Sequence, residues 1–278
     1  MSVDYAQLVN KIHKAVDDGR IRLPSFPENL IKVRDALNDP ETSIRTLAQL
    51  VHSDSVLAGR IYAVAGSSAY ALDTEKLSLV SIMSYLGLNM IRSTIYNHCL
   101  SQLFNDRRFK RVEDVVSFVR NRSLELAGIA YAISKRYRAE EPSLALLSGL
   151  FHNVGALVIV SWIAQTGGQG LDVKEQKTLV IKGQHSFADR ILENWSVPEH
   201  LKRVIQAGES EVDAGDERDK YVHLIAVARW VSRILRNPKT IEDPPMTSLK
   251  LFNIDVDQVL LDKDEILADM IKIIQSIR

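Results

Sequence analysis

Cysteine is nearly absent: Cys99 is the only one in 278 residues. No internal disulfide can form, so the fold must be held by packing, as suits a reducing compartment. Neither sign of charge dominates, with 35 Lys and Arg against 35 Asp and Glu. That balance argues against the broadly basic surface of a nucleic-acid binder and against attraction to acidic membranes. The first residues, Met1-Ser2-Val3-Asp4-Tyr5, lack the basic stretch and apolar core of a signal peptide. The longest apolar stretch, Leu150 to Ile163, is interrupted by His152 and Asn153 and is shorter than the roughly 20 residues a membrane span needs. A cytoplasmic protein with no membrane partner is therefore expected. Sustained period-two segments with hairpin turns are missing, as are repeats and low-complexity tracts, so the expected fold is all-α. No P-loop, no Gly-x-Gly-x-x-Gly after a strand, no Gly-x-Ser-x-Gly elbow and no His-Glu-x-x-His is present.

What is present is helical. Hydrophobic residues make up 46% and charged residues 25%, ordinary values for a chain that builds one large domain or two lobes. Tyr5, Leu8, Val9, Ile12, Ala15 and Val16 repeat at helical spacing until Gly19. Leu30, Val33 and Leu37 do the same until Asn38-Asp39-Pro40. Ser43, then Asp54 or Ser55, stand where N-caps are expected, and Gly87 stands where a left-handed C-cap would close Ser78–Leu86. Longer helices are predicted over 89–104, 112–137, 142–165, 186–195, 199–207, 220–235 and 264–277. Thr166 to Gly170 reads as a flexible loop, and the acidic, Gly-containing stretch 209–219 as an exposed one. A boundary falls near residue 105, giving a small-helix lobe over 1–104 and a longer-helix lobe over 105–278.

Several ordered motifs carry a resemblance. Leu23-Pro24-Ser25-Phe26-Pro27 comes first, then Leu37-Asn38-Asp39-Pro40 and Leu47-Ala48-Gln49-Leu50-Val51-His52-Ser53-Asp54. Leu57-Ala58-Gly59-Arg60-Ile61 through Ala65-Gly66-Ser67 follows, and then Tyr85-Leu86-Gly87-Leu88. In this order they resemble the HDOD family, the HD-related output domain of bacterial signalling proteins, over about residues 20–235. The second lobe resembles the HD-superfamily metal-dependent phosphohydrolases. Leu150-Phe151-His152-Asn153-Val154-Gly155 matches their Leu-x-His-Asp-x-Gly signature, with asparagine in place of the metal-bridging aspartate. The resemblance puts Arg122 where the first metal histidine stands. It aligns His185 with a downstream histidine before Trp195-Ser196-Val197-Pro198-Glu199, and leaves no acid near Ala226 or Val227.

A catalytic metal centre needs about three protein ligands and an open position for water. Two histidines and no inherited carboxylate fall short of that, and the fixed charge of Arg122 repels a divalent cation. No metal and no cofactor are expected. His152, Asn153 and His185 read as a vestigial site whose side chains tie helices together. The resemblance thus implies a non-catalytic signalling or regulatory protein that binds another protein, through the cleft between the lobes or an exposed helix face. Two other readings stay open. One is a metal-dependent phosphohydrolase in which His152, Asn153 and His185 recruit Asp189 or Glu193. The other is a module that binds a nucleotide or small anion with Arg122 as the clamp, beside His152 and His185. The basic run Arg107-Arg108-Phe109-Lys110-Arg111 reads as a solvated loop rather than a nucleic-acid surface. Trp162, Trp195 and Trp230 read as core, and Cys99 as a small hydrophobe.

Overall fold

The computed structural model describes residues 3–23, 25–195, 197–207, 219–237 and 243–277. Among them every regular element is a helix. Side-chain caps set many of the boundaries. Asp4 opens α1 (Tyr5–Asp17) by accepting from the Gln7 N–H, and α2 spans Ile31–Asn38. Ser43 caps α3 (Ile44–His52) through the Thr46 N–H at 3.1 Å. Asp54 caps α4 (Ser55–Gly66) through the amides of Val56 and Leu57. Ser78 caps α5 (Leu79–Leu86). Each such cap satisfies N–H groups that the first helical turn cannot. Gly87 joins α5 to α6 (Leu88–Phe104) with φ 79° and ψ 156°. The positive φ is as expected, but the ψ is extended rather than left-handed helical.

The long α7 (Glu113–Tyr137) packs most extensively against α8 (Pro142–Phe151). The stretch predicted as one helix over 142–165 is instead two, because a turn at 152–155 separates α8 from α9 (Ala156–Thr166). Pro142–Gly170 is long and apolar enough by composition to cross a membrane, yet 94% of its most apolar window is buried inside the fold. Three helices lie outside the sequence expectation: α10 (Val173–Gly183), α14 (Met246–Leu251) and α15 (Val256–Leu261). The rest were foreseen: α11 (Ala188–Trp195), α12 (Glu199–Gln206), α13 (Lys220–Arg236) and α16 (Lys263–Ile277). Of the loop expected over 209–219, only Asp219 is among the described residues.

One hydrophobic cluster runs from Ile12 on α1 to Ile205 on α12 and takes in Ile273, Ile274 and Ile277 of α16. A second, centred on Leu224, Trp230 and Ile133, joins α7 to α13. Four aromatic rings sit at the heart of the first. Phe26 meets Tyr96 and Trp195 edge-on, and Phe151 meets the same two, with centroids 5.3–6.0 Å apart. Such edge-to-face pairs are each worth about 0.5–1.5 kcal/mol beyond the area they bury. The motif around Phe26 and the motif around Trp195 thus touch directly, and Trp195 also packs on Phe151, the residue immediately before His152.

Candidate functional site

Three features fix the turn at 152–155. The Val154 N–H bonds the Phe151 carbonyl and the Ala156 N–H bonds the Asn153 carbonyl, which close the turn. The His152 ring sits within 2.6 Å (Nδ1) of the Gly149 carbonyl. Gly155 admits a neighbouring segment: a Cβ there would lie 2.1 Å from the Gln184 carbonyl oxygen. That approach seats the 3-10 turn Gln184–Phe187, which carries His185, directly against the turn that carries His152. Gly149 does the same on the other side, where a Cβ would lie 2.3 Å from Ala127 Cα of α7.

His152 is 1% exposed. A carbonyl only accepts, so Nδ1 carries the proton toward Gly149 and Nε2 is left with its lone pair. Nε2 is buried and has no hydrogen-bond partner among the described residues. Burial, followed by the charges of Arg229 and Arg122, holds the imidazole pKa well below its ordinary value, and His185 adds to that. All four side chains therefore share one region. Arg122 comes from α7 and Arg229 from α13, and each is partly buried.

Asn153 is used differently from a metal ligand. Its Nδ2 donates to the Val119 carbonyl at 3.2 Å, and its Oδ1 accepts from the Ser123 hydroxyl at 2.6 Å. Both partners lie on α7, so the amide is a buried staple between α7 and the 152–155 turn. An aspartate could keep the Ser123 bond but would turn an oxygen toward the Val119 carbonyl.

The carboxylates named as candidates do not complete a shell. Asp189, on α11, is exposed and accepts from Gln206 Nε2 at 2.6 Å, which ties α11 to α12. The side chain of Glu193 lies outside the described residues. His223 faces elsewhere, with its Nδ1 3.0 Å from Ser248 Oγ of α14. Ala226 is half-buried and Val227 fully buried in the second core cluster, and neither offers a donor. Among the described residues no three His, Cys, Asp or Glu side chains gather as a metal-binding group. A divalent cation beside His152 would meet a neutral amide committed to α7 and the repulsion of two guanidinium groups. The donor set does not fit such an ion.

Sequence reasoning missed Arg229. It lies one turn beyond Ala226 on α13, so helical periodicity alone would have brought it to the same face. The expected core residues are where they were placed: Trp162, Trp195, Trp230 and Cys99 are each no more than 1% exposed. The basic run forms the 3-10 turn Arg107–Val112, anchored by buried Phe109.

The fold recurs among known proteins. The chain matches the HDOD domain over residues 23–210. A solved structure from Shewanella amazonensis SB2B, provisionally named a metal-dependent phosphohydrolase, superposes with a TM-score of 0.77 at 21% identity, covering 99% of each chain. An HDOD domain protein of unknown function from Geobacter sulfurreducens gives 0.65 at 19% identity, covering 99% of this chain and 98% of that one. A protein from Marinobacter aquaeolei VT8, provisionally named for signal transduction, gives 0.62 at 18% identity, covering 99% of this chain and 66% of that one. An uncharacterised protein of Treponema pallidum (strain Nichols) is 18% identical over 265 residues, 91% of this chain, which spans about half of that relative's length. At these identities the structures speak to fold alone, whereas the domain match covers more than half of the chain: the protein belongs to the HDOD family.

Proposed function

We propose that the protein is a non-catalytic regulatory module that acts by binding a partner protein of a signalling pathway. The observation that carries this reading is the chemistry around His152. Hydrolysis of a phosphate ester by an HD-type centre needs a metal-bound water with a lowered pKa. Here the surviving histidine is a buried neutral base under two positive side chains, and the residue in the bridging position is an amide already spent on Val119 and Ser123. What the fold retains is its packed scaffold and its surfaces, the parts a binding module needs.

The alternative, a metal-dependent phosphohydrolase with an atypical site, would need a carboxylate from outside the 152–155 turn, and Asp189 is bonded to Gln206 instead. The third reading, an anion or nucleotide held by Arg122, His152 and His185, has one observation in its favour. His152 Nε2 presents a buried lone pair without a hydrogen-bond partner, where water or a protonated ligand oxygen could donate.

Two assays separate these readings. Tagged full-length protein recovered from its own cells should carry a stoichiometric partner, and cross-linking should map that partner to defined faces of this chain. Purified protein with Mn2+, Mg2+, Fe2+ or Zn2+ should turn over nucleotides and phosphodiesters no faster than His152→Ala. Metal-dependent turnover that disappears in His152→Ala would overturn the proposal in favour of the hydrolase.

A further inference from the structure

A groove of about 360 Å3 opens between α4, α6, α7 and α8. Its volume lies at the lower end of the roughly 300–1,000 Å3 typical of small-molecule sites. Two arginines line it, Arg60 from α4 and Arg120 from α7, and among the described residues no acidic side chain does. One face of α6 forms its wall, since Asn97, Leu100, Ser101 and Phe104 recur at helical spacing and span about 10 Å along the axis. Leu124 and Leu150 complete an apolar floor with Leu100 and Phe104, all four buried. We infer that this groove binds a small organic phosphate of nucleoside-monophosphate size.

The two ends of the groove offer different chemistry. At one end Asn97 Nδ2 and Arg60 Nη1 converge on a single oxygen, the Ile277 carbonyl of α16, at 2.5 and 3.3 Å. The donors there are already aimed at one acceptor supplied by the chain. At the other end Arg120 lies among Asn105, Asn121 and Ser101. Arg120 bonds Ser117 Oγ at 3.2 Å, and its contacts with Asn105 Oδ1 at 3.5 Å and the exposed Glu113 at 3.6 Å are longer. Loose, solvent-screened contacts of this kind are readily exchanged for a phosphate, which a guanidinium binds through paired, charge-assisted hydrogen bonds. The exposed amide of Asn121 supplies donor and acceptor together, the pattern that the edge of a nucleobase requires. Phe104 and the leucines give its flat body an apolar surface. A bare inorganic anion would leave that floor uncovered, so the groove suits a phosphate carrying a planar group.

This inference goes beyond the partner-binding proposal and does not depend on it, because the ligand is read without any partner present. Calorimetric titration of the full chain with AMP, GMP, CMP and UMP tests it, with the four corresponding nucleosides and inorganic phosphate alongside. At least one mononucleotide should bind one to one with a Kd below about 1 mM. The matching nucleoside and inorganic phosphate should each bind at least about tenfold more weakly. Arg120→Ala should weaken binding by about tenfold or more, and Asn121→Asp, an exposed position that places negative charge at the mouth, should do the same. Lys174→Ala, an exposed position on α10 outside the lining, should leave binding unchanged. The inference is overturned if no mononucleotide binds at about 1 mM. It is equally overturned if binding survives both Arg120→Ala and Asn121→Asp.

Discussion

Asn153→Asp restores the residue of the metal-binding signature and should fail to restore its chemistry. Asn153 is 2% exposed, and its Nδ2 donates to the Val119 carbonyl at 3.2 Å. Aspartate keeps the acceptor for Ser123 but replaces that donor with an oxygen, so two acceptors face each other in a dry environment. Losing the bond and leaving the Val119 carbonyl without this partner costs about 1–3 kcal/mol, and desolvating the new carboxylate adds to that. A net loss of about 2–4 kcal/mol is expected at pH 7.5 by denaturant unfolding. The pH dependence gives a second, independent readout. Burial raises the carboxyl pKa in the folded state above its unfolded value near 3.9. The folded variant therefore takes up a proton that the unfolded chain does not, and the protonated acid regains a donor for Val119. The deficit against wild type should narrow as pH falls from 7.5 to 5. If Asn153→Asp is as stable as wild type at both pH values and binds Mn2+ one to one, the amide is not a structural staple, and a single missing charge separates this chain from a metalloenzyme.

Other substitutions probe the same construction. Gly155→Ala places a methyl group 2.1 Å from the Gln184 carbonyl oxygen, a backbone atom that cannot swing away, and should cost about 1–3 kcal/mol; unchanged unfolding midpoints would show that the two turns are not in tight register. Trp195→Ala removes one of the four interlocked rings and should cost about 3–5 kcal/mol, read by the same unfolding curves. The buried histidines set an acid limit. Folded His152 and His98 resist protonation, each mainly through burial, so below pH about 6.5 the unfolded chain binds the extra protons. Stability should be full above that pH and fall below it, by up to about 1.4 kcal/mol per pH unit for His152. His152→Gln should reduce that slope, and a wild-type stability flat between pH 7 and 5 would refute the buried, neutral assignment.

Much of the fold was legible because its punctuation is local. Ser43, Asp54 and Ser78 cap helices by hydrogen bonds to amides two or three residues away, so a short window of sequence holds the whole interaction. The break at 152–155 was hidden for the opposite reason. Leu150 to Ile163 is apolar enough to read as one helix, and the turn depends on the Gln184 segment, about 30 residues away, fitting against Gly155. The start of α10 was legible yet passed over: Asp172 and Glu175 form a reciprocal capping box. At the site, the motif order identified His152, Asn153, His185 and Arg122. It gave no account of what Asn153 does, because Val119 and Ser123 become its partners only when α7 packs on α8. Arg229, by contrast, was within reach of helical spacing, one turn beyond Ala226, and was passed over. The Phe26, Phe151 and Trp195 contact could not be read either, although each ring stood inside a quoted motif.

Elemental analysis of untagged protein, purified without added metal and then incubated with an excess of Mn2+, Fe2+ or Zn2+ before desalting, tests the central claim most directly. Metal well below one equivalent per chain, and unchanged in His152→Ala, is the predicted result for a centre occupied by a committed amide and flanked by Arg122 and Arg229. One or more equivalents of a divalent ion retained by wild type and lost in His152→Ala would contradict it and return the protein to the hydrolases.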